Sequence, residues 1–155
     1  MSDIDQKQLE GMIRKVLTEI LSESGQGGSA EMSRQVDKSG VMSVKTSTVK
    51  TEKFPFDIGP ANGKVFLKDM VSLEESPRLG FGVMEMDRTS FKWTLNYDEV
   101  DYIIDGTLEI VIDGRKVVGN PGDTLFIPAK STIEFSSPGF SRFLYVVYPA
   151  NWSEQ

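Results

Sequence analysis

The chain contains no cysteine and no histidine in its 155 residues. Without cysteine there is no disulfide framework and no thiolate chemistry, which suits a reducing compartment. Without histidine there is no imidazole, the commonest metal-binding side chain. Long apolar runs are missing too: none approaches the roughly 20 residues that a helix needs to cross a bilayer. The opening MSDIDQKQLE is acidic and lacks the basic start and apolar stretch of a secretion signal. Positive charge is in short supply, with 17 Lys and Arg against 23 Asp and Glu, a net charge of -6 and a pI near 4.7. That balance argues against nucleic acid or anionic lipid as the main partner. A phosphate loop of the pattern G-x-x-x-x-G-K-[ST] is also absent. The nearest stretch, GPANGKV, has Gly63 and Lys64, but the spacing is one short and valine follows, so it reads as a loop turn. Protein-kinase signatures do not occur either. These absences predict a soluble, cytoplasmic protein with neither nucleic acid nor membrane as partner.

What is present falls into three stretches. Residues 1–24 carry Leu9, Met12, Ile13, Val16, Leu17, Ile20 and Leu21 at the spacing of one helical face. Residues 25–40 are rich in glycine and serine and read as a flexible linker. Residues 41–155 hold short runs of β-forming residues divided by turn signals: VFLKDM, LGFGVMEM, FKWTL, VDYII, LEIVIDG, KVVG, TLFIP, TIEF and RFLYVVY. Asp113-Gly114 between two apolar runs signals a hairpin, and NPGD signals another turn. Many short strands without a strong helix among them predict an all-β sandwich or barrel. With 39% hydrophobic and 26% charged residues, the composition is that of an ordinary globular domain plus an appendage.

Two spacings carry a resemblance. Glu99 and Gly106 stand in EVDYIIDG with six residues between them, and Gly122 and Pro128 stand in PGDTLFIPA. Together and in this order they resemble the two motifs of the cupin superfamily, which implies a jelly-roll β-barrel. Finer stretches, WTLNYDEVDYIIDGTLEI, GDTLFIPAKSTIEF and RFLYVVYPANW, resemble the C-terminal cupin domain of the EutQ family of ethanolamine-utilisation proteins. The resemblance covers about the last two-thirds of the chain. It implies association with bacterial microcompartments, an acetate kinase activity with ATP and Mg²⁺ in some members, and a homodimer; longer members carry extra N-terminal sequence. The cupin transition-metal site is not preserved. The family's two early histidines fall on Lys92 and Thr94 or on Trp93 and Leu95, the third on Ile133, and the asparagine position on Ser137. Of the usual ligands Glu99 alone remains, so no tightly bound transition metal is expected.

The residues left suggest other chemistry. If Glu99 and Asp101 lie on one strand they share a face. Pointing inward, they raise each other's pKa by like-charge repulsion and desolvation, and one becomes a general acid or base, or both take up Mg²⁺. The plainer reading is that Glu99 is a structural relic hydrogen-bonded to Tyr97 or to a backbone amide. Trp93, Tyr97, Tyr102, Phe126, Phe135 and Tyr145 are candidate pocket aromatics. Most read as packing, with Trp93 and Tyr97 the exceptions because they flank the vacated metal positions. Lys92 and Arg142 are the candidate cations for phosphate or carboxylate. The stripe of residues 1–24, with LEGMIRKVLTEIL, is similar to helical peptides that direct enzymes into microcompartments, so a shell or enzyme protein is its expected partner.

Overall fold

The computed structural model describes residues 32–155. The helix expected over 1–24 and the first part of the linker lie outside the described residues. Residues 34–36, assigned to the linker on composition, instead form a strand. β1 (Arg34–Val36) pairs antiparallel with β2 (Met42–Val44). Its turn is closed locally: the Asp37 carboxylate accepts from the Ser39 amide at 2.8 Å, and the Asp37 amide donates to Val41 O at 2.8 Å. Arg34 ties the hairpin to the rest through Glu75 at 2.9 Å.

The remaining strands are β3 (Glu52–Lys53), β4 (Val65–Asp69), β5 (Gly80–Leu95), β6 (Asp98–Gly106), β7 (Leu108–Ile112), β8 (Arg115–Gly119), β9 (Thr124–Ile127) and β10 (Ser131–Tyr148). Two pairs of runs that read separately in the sequence are continuous here. LGFGVMEM and FKWTL make one strand of 16 residues, and TIEF and RFLYVVY make one of 18. These two strands pair along their whole length, from Ser131 with Leu95 to Val147 with Gly80. Midway the register shifts between Ser137 and Phe140, and opposite it Arg88 takes φ 44°. A bulge of this kind bends both strands and sharpens their twist. The eight strands form one sheet: the order runs β3-β4-β5-β10-β6-β9, and β7 pairs with β10 and with β8.

The turns follow their sequence signals. Asp113 and Gly114 take φ 49° and 74°, the two left-handed positions of a type I′ hairpin between β7 and β8. Gly106, the glycine of the first motif, has φ 71°, and a Cβ there would overlap the Phe140 carbonyl. That backbone approach is what its motif position requires. Inside, inward residues of β4 to β7, β9 and β10 form the main core, and Val49, Met70 and Val83 a second, smaller cluster. Met86, Leu95, Ile103, Leu108 and Phe143 are fully buried. No helix among the described residues is long and apolar enough to cross a membrane.

Candidate functional site

Strand alternation places the site. On β6, Glu99, Asp101 and Ile103 point inward while Val100, Tyr102 and Ile104 are exposed. Glu99 sits across from Ile127 of β9 and Val147 of β10, and Asp101 across from Leu125 and Tyr145. The alternation also decides the register left open at residues 92–95: Leu95 is buried and Trp93 half-buried, while Lys92 is exposed. Ile133 is buried opposite Trp93. Apolar groups therefore stand where a cupin metal centre has its histidines.

Glu99 and Asp101 are 5% and 0% exposed, and no cation pairs with either among the described residues. With both carboxyls ionised, neither oxygen of Asp101 meets a donor. One proton on the pair supplies that donor, because the O–H of one carboxyl then bonds the other. Burial pushes Glu99 up to about 7, tempered by its bond to Asp101. Burial and the Glu99 charge hold Asp101 well above the usual carboxylate range. The pair thus carries a proton near neutrality, when ordinary carboxyls are ionised.

Around the pair is an aromatic cup. Phe54, Phe91, Trp93, Phe135 and Trp152 line a partly open cavity of about 20 Å³ together with Tyr97, Glu99 and Tyr145. That is room for about one water. Tyr97 does not serve as the partner of Glu99 that a relic reading supposes: its hydroxyl accepts from Trp93 Nε1 at 2.9 Å. Burial holds the Tyr97 and Tyr145 phenols protonated far above neutrality. Tyr145 donates to Asp69 Oδ1 at 2.7 Å. Gly82 makes this reach possible, since a Cβ there would collide with the Tyr145 hydroxyl.

The structure brings Glu99, Asp101, Tyr97 and Trp93 together and leaves two candidates elsewhere. Lys92 faces away from the cup. Arg142 lies on the outer face of β10, where its guanidinium pairs with Glu85 and donates to Thr46 O and Val49 O at 3.0 and 3.1 Å. This side chain joins the chain before β3 to the barrel, with three of its N–H groups engaged there. Of the other candidate aromatics, Phe135 and Tyr145 line the cup, while Tyr102 and Phe126 are exposed. Phe54 and Trp152 were not singled out in the sequence, since they lie outside the alternating strands. The stretch GPANGKV forms a 3-10 turn at Gly59–Ala61 followed by Gly63 at φ 77°, a connection and not a phosphate cradle.

A Mg²⁺ ion fits this pair poorly. Mg²⁺ needs six oxygens at about 2.0–2.1 Å and keeps several waters. The pair offers two carboxyls beside room for about one water, and no group of three or more potential ligands occurs among the described residues.

The comparisons agree with this architecture. The profile of the ethanolamine utilisation protein EutQ family matches residues 4–154. A protein of Clostridioides difficile named acetate kinase EutQ is 49% identical over 100% of this chain and 98% of its own length. One of the same name from Salmonella typhimurium is 40% identical over 74% of this chain, and the match spans only 49% of that longer protein. The solved structure of the Clostridium difficile EutQ protein superposes with TM-score 0.76 at 52% identity, covering 81% of this chain and 93% of that one. A cupin superfamily protein of Desulfitobacterium hafniense shares the fold at 18% identity, with TM-score 0.52 over 67% of this chain and 86% of its own. The chain, a cupin-type β-barrel without the cupin metal ligands, belongs to the ethanolamine utilisation protein EutQ family.

Proposed function

We propose that the protein works in ethanolamine utilisation as an acetate kinase, joining acetate and ATP to give acetyl phosphate and ADP. The observation that carries this reading is full-length identity of 49% with a relative bearing that name. The cup suits the acetate end of the reaction. Its apolar rings match a methyl group, and a protonated Glu99 beside the Tyr97 hydroxyl offers hydrogen-bond donors to a carboxylate. In the transfer, an acetate oxygen attacks the γ-phosphorus, the bond from that phosphorus to the ADP oxygen breaks, and ADP leaves. Mg²⁺ enters with ATP as part of the substrate, because Glu99 and Asp101 do not make a resident site for it.

A second reading, a binding or assembly protein without turnover, is favoured by one observation: among the described residues no lysine or arginine lines the cup. A coupled assay for acetyl phosphate separates the two. The kinase reading expects turnover by the purified chain and its loss in Glu99→Gln with the fold intact. Equal activity in Glu99→Gln would move the site elsewhere. No turnover by the unmutated chain, with acetate still bound, would leave the binding reading.

The partners rest on sequence. Residues 1–24 are the proposed segment for docking a microcompartment shell or enzyme protein. Fused to a fluorescent reporter, they are expected to give puncta in cells making the compartment, and Ile13→Glu with Leu17→Glu to disperse them. Diffuse signal from the unmutated fusion would refute this. A homodimer is proposed through the outer face of β6 and β9, where Val100, Tyr102, Ile104 and Phe126 are exposed. Sedimentation of Phe126→Glu against the unmutated chain checks it; two species of equal mass would refute that face.

A further inference from the structure

The cup has a neighbour. A groove of about 280 Å³ lies beside it, lined among others by Phe56, Asp69, Ser72, Ser76 and Asn151. Trp152 lines both spaces. Its ring is stacked on Phe54 at 6.4 Å and stands near Phe56, Trp93 and Tyr97 at 5.9, 6.4 and 6.1 Å. Yet the segment that carries it is loosely tied. Among the described residues, every hydrogen bond of residues 151–155 stays within that segment: Glu154 and Gln155 amides to Asn151 O and Trp152 O, and side-chain bonds among Asn151, Glu154 and Gln155. The tryptophan is thus held on the barrel by ring contacts, on a short 3-10 turn with no strand ladder behind it. Ring contacts of this kind are worth about 0.5–1.5 kcal/mol each beyond burial, and segments with few anchoring hydrogen bonds open at low cost.

We propose that Trp152 is the gate of the barrel site. Swung outward, it joins the cup to the groove, and the single space so formed takes a short-chain carboxylic acid with its carboxyl end at Glu99 and Tyr97. This accounts for a buried carboxyl, Glu99, lining a space that admits about one water. The space at Glu99 is too small for an organic ligand as it stands, and of the rings that line it Trp152 has the least anchored backbone. Phe91, Trp93 and Phe135 all sit in paired positions of β5 and β10. The ligand class rests on the acetate reading above; the gate does not.

The test uses the full chain grown with 5-fluorotryptophan. The protein has two tryptophans, 93 and 152, so two fluorine signals are expected, assigned with Trp152→Phe. The gate predicts microsecond-to-millisecond exchange of the Trp152 signal without ligand. It also predicts a severalfold rise in acrylamide quenching of Trp93 and in the rate of acetate entry in Trp152→Ala, largely reversed in Trp152→Phe. Far-UV circular dichroism establishes that the variants are folded. A Trp152 signal free of exchange, with unchanged quenching and entry in Trp152→Ala, overturns the gate. If acetate moves neither signal while Trp152 still exchanges, the acetate reading falls and the gate stands. If acetate moves Trp93 equally fast in the unmutated chain and Trp152→Ala, the gate falls and the acetate reading stands.

Discussion

Three successive inward positions of β6 divide the barrel interior into two kinds of place. Glu99, Asp101 and Ile103 are 5%, 0% and 0% exposed. Ile103 sits across from Phe143, in the core that also holds Leu108 and Met86, apolar groups that gain by leaving water. Toward Glu99 lie Tyr97, Tyr145 and Asp101, whose carboxyl finds a partner only through a proton on the pair. Equal burial thus has opposite consequences. At the apolar end it stabilises the fold; at the acid end it forces a proton onto a carboxyl pair and keeps two phenols from ionising. The scaffold stabilises itself at one end and holds uncompensated polar groups at the other, the usual distribution of cost around a functional site.

The contrast can be broken most sharply at Phe143. Phe143→Ala should lower unfolding free energy by about 3–5 kcal/mol, because a fully buried ring leaves a cavity. Denaturant titration checks it. A loss under about 1 kcal/mol would mean that the apolar end is not the stabilising half.

A smaller effect is expected at the border of the two ends. Gly82→Ala places a Cβ on the Tyr145 hydroxyl and the Lys68 carbonyl. Overpacking of this sort costs about 1–3 kcal/mol, and it should break the bond from Tyr145 to Asp69. A melting curve and the tyrosine absorption of the variant give both readings; unchanged values would refute the close approach.

Next comes pH. The folded chain holds a proton on the Glu99–Asp101 pair that the unfolded chain releases near the ordinary value of 4.5 for Glu. Folding therefore takes up protons, and stability falls as pH rises from about 4.5 through about 7 and onward, because Asp101 keeps its proton to higher pH still. In Asp101→Asn the amide supplies the donor the pair lacks, so the decline should be shallower. Equal slopes in the two proteins would show that the pair is not its source.

The smallest effect belongs to Lys92. Its side chain is exposed and lies on the far face of β5 from the cup, so Lys92→Ala should change stability by no more than about 0.5 kcal/mol and leave acetate binding as it was. A large loss of binding would contradict the inward register of Trp93 and Leu95.

These same residues show how far the sequence can be read. Period-2 alternation placed Glu99 and Asp101 on one face, and the Asp113-Gly114 signal located its hairpin, because both are local rules of backbone geometry. The continuity of β5 and β10 was not legible, since a bulge at residues 137–140 interrupts the pattern while pairing holds the strands together. Composition likewise misassigned residues 34–36, whose strand depends on a turn and on an ion pair 41 residues away. The register at residues 92–95 stayed open because Lys92/Thr94 and Trp93/Leu95 are each acceptable alternations. Arg142 misled for a related reason: its type fits an anion site, but the strand turns it toward Glu85. Phe54 and Trp152 escaped notice because nothing periodic marks a side chain that reaches the cup from a loop.

The most direct test of the protonated acid pair is a carbon-13 titration of the glutamate side-chain carboxyls in the full chain, with Glu99 assigned by its disappearance in Glu99→Gln. A midpoint near 7 for Glu99 is the predicted result. A Glu99 midpoint near 4.5, as for an exposed carboxyl, would contradict it.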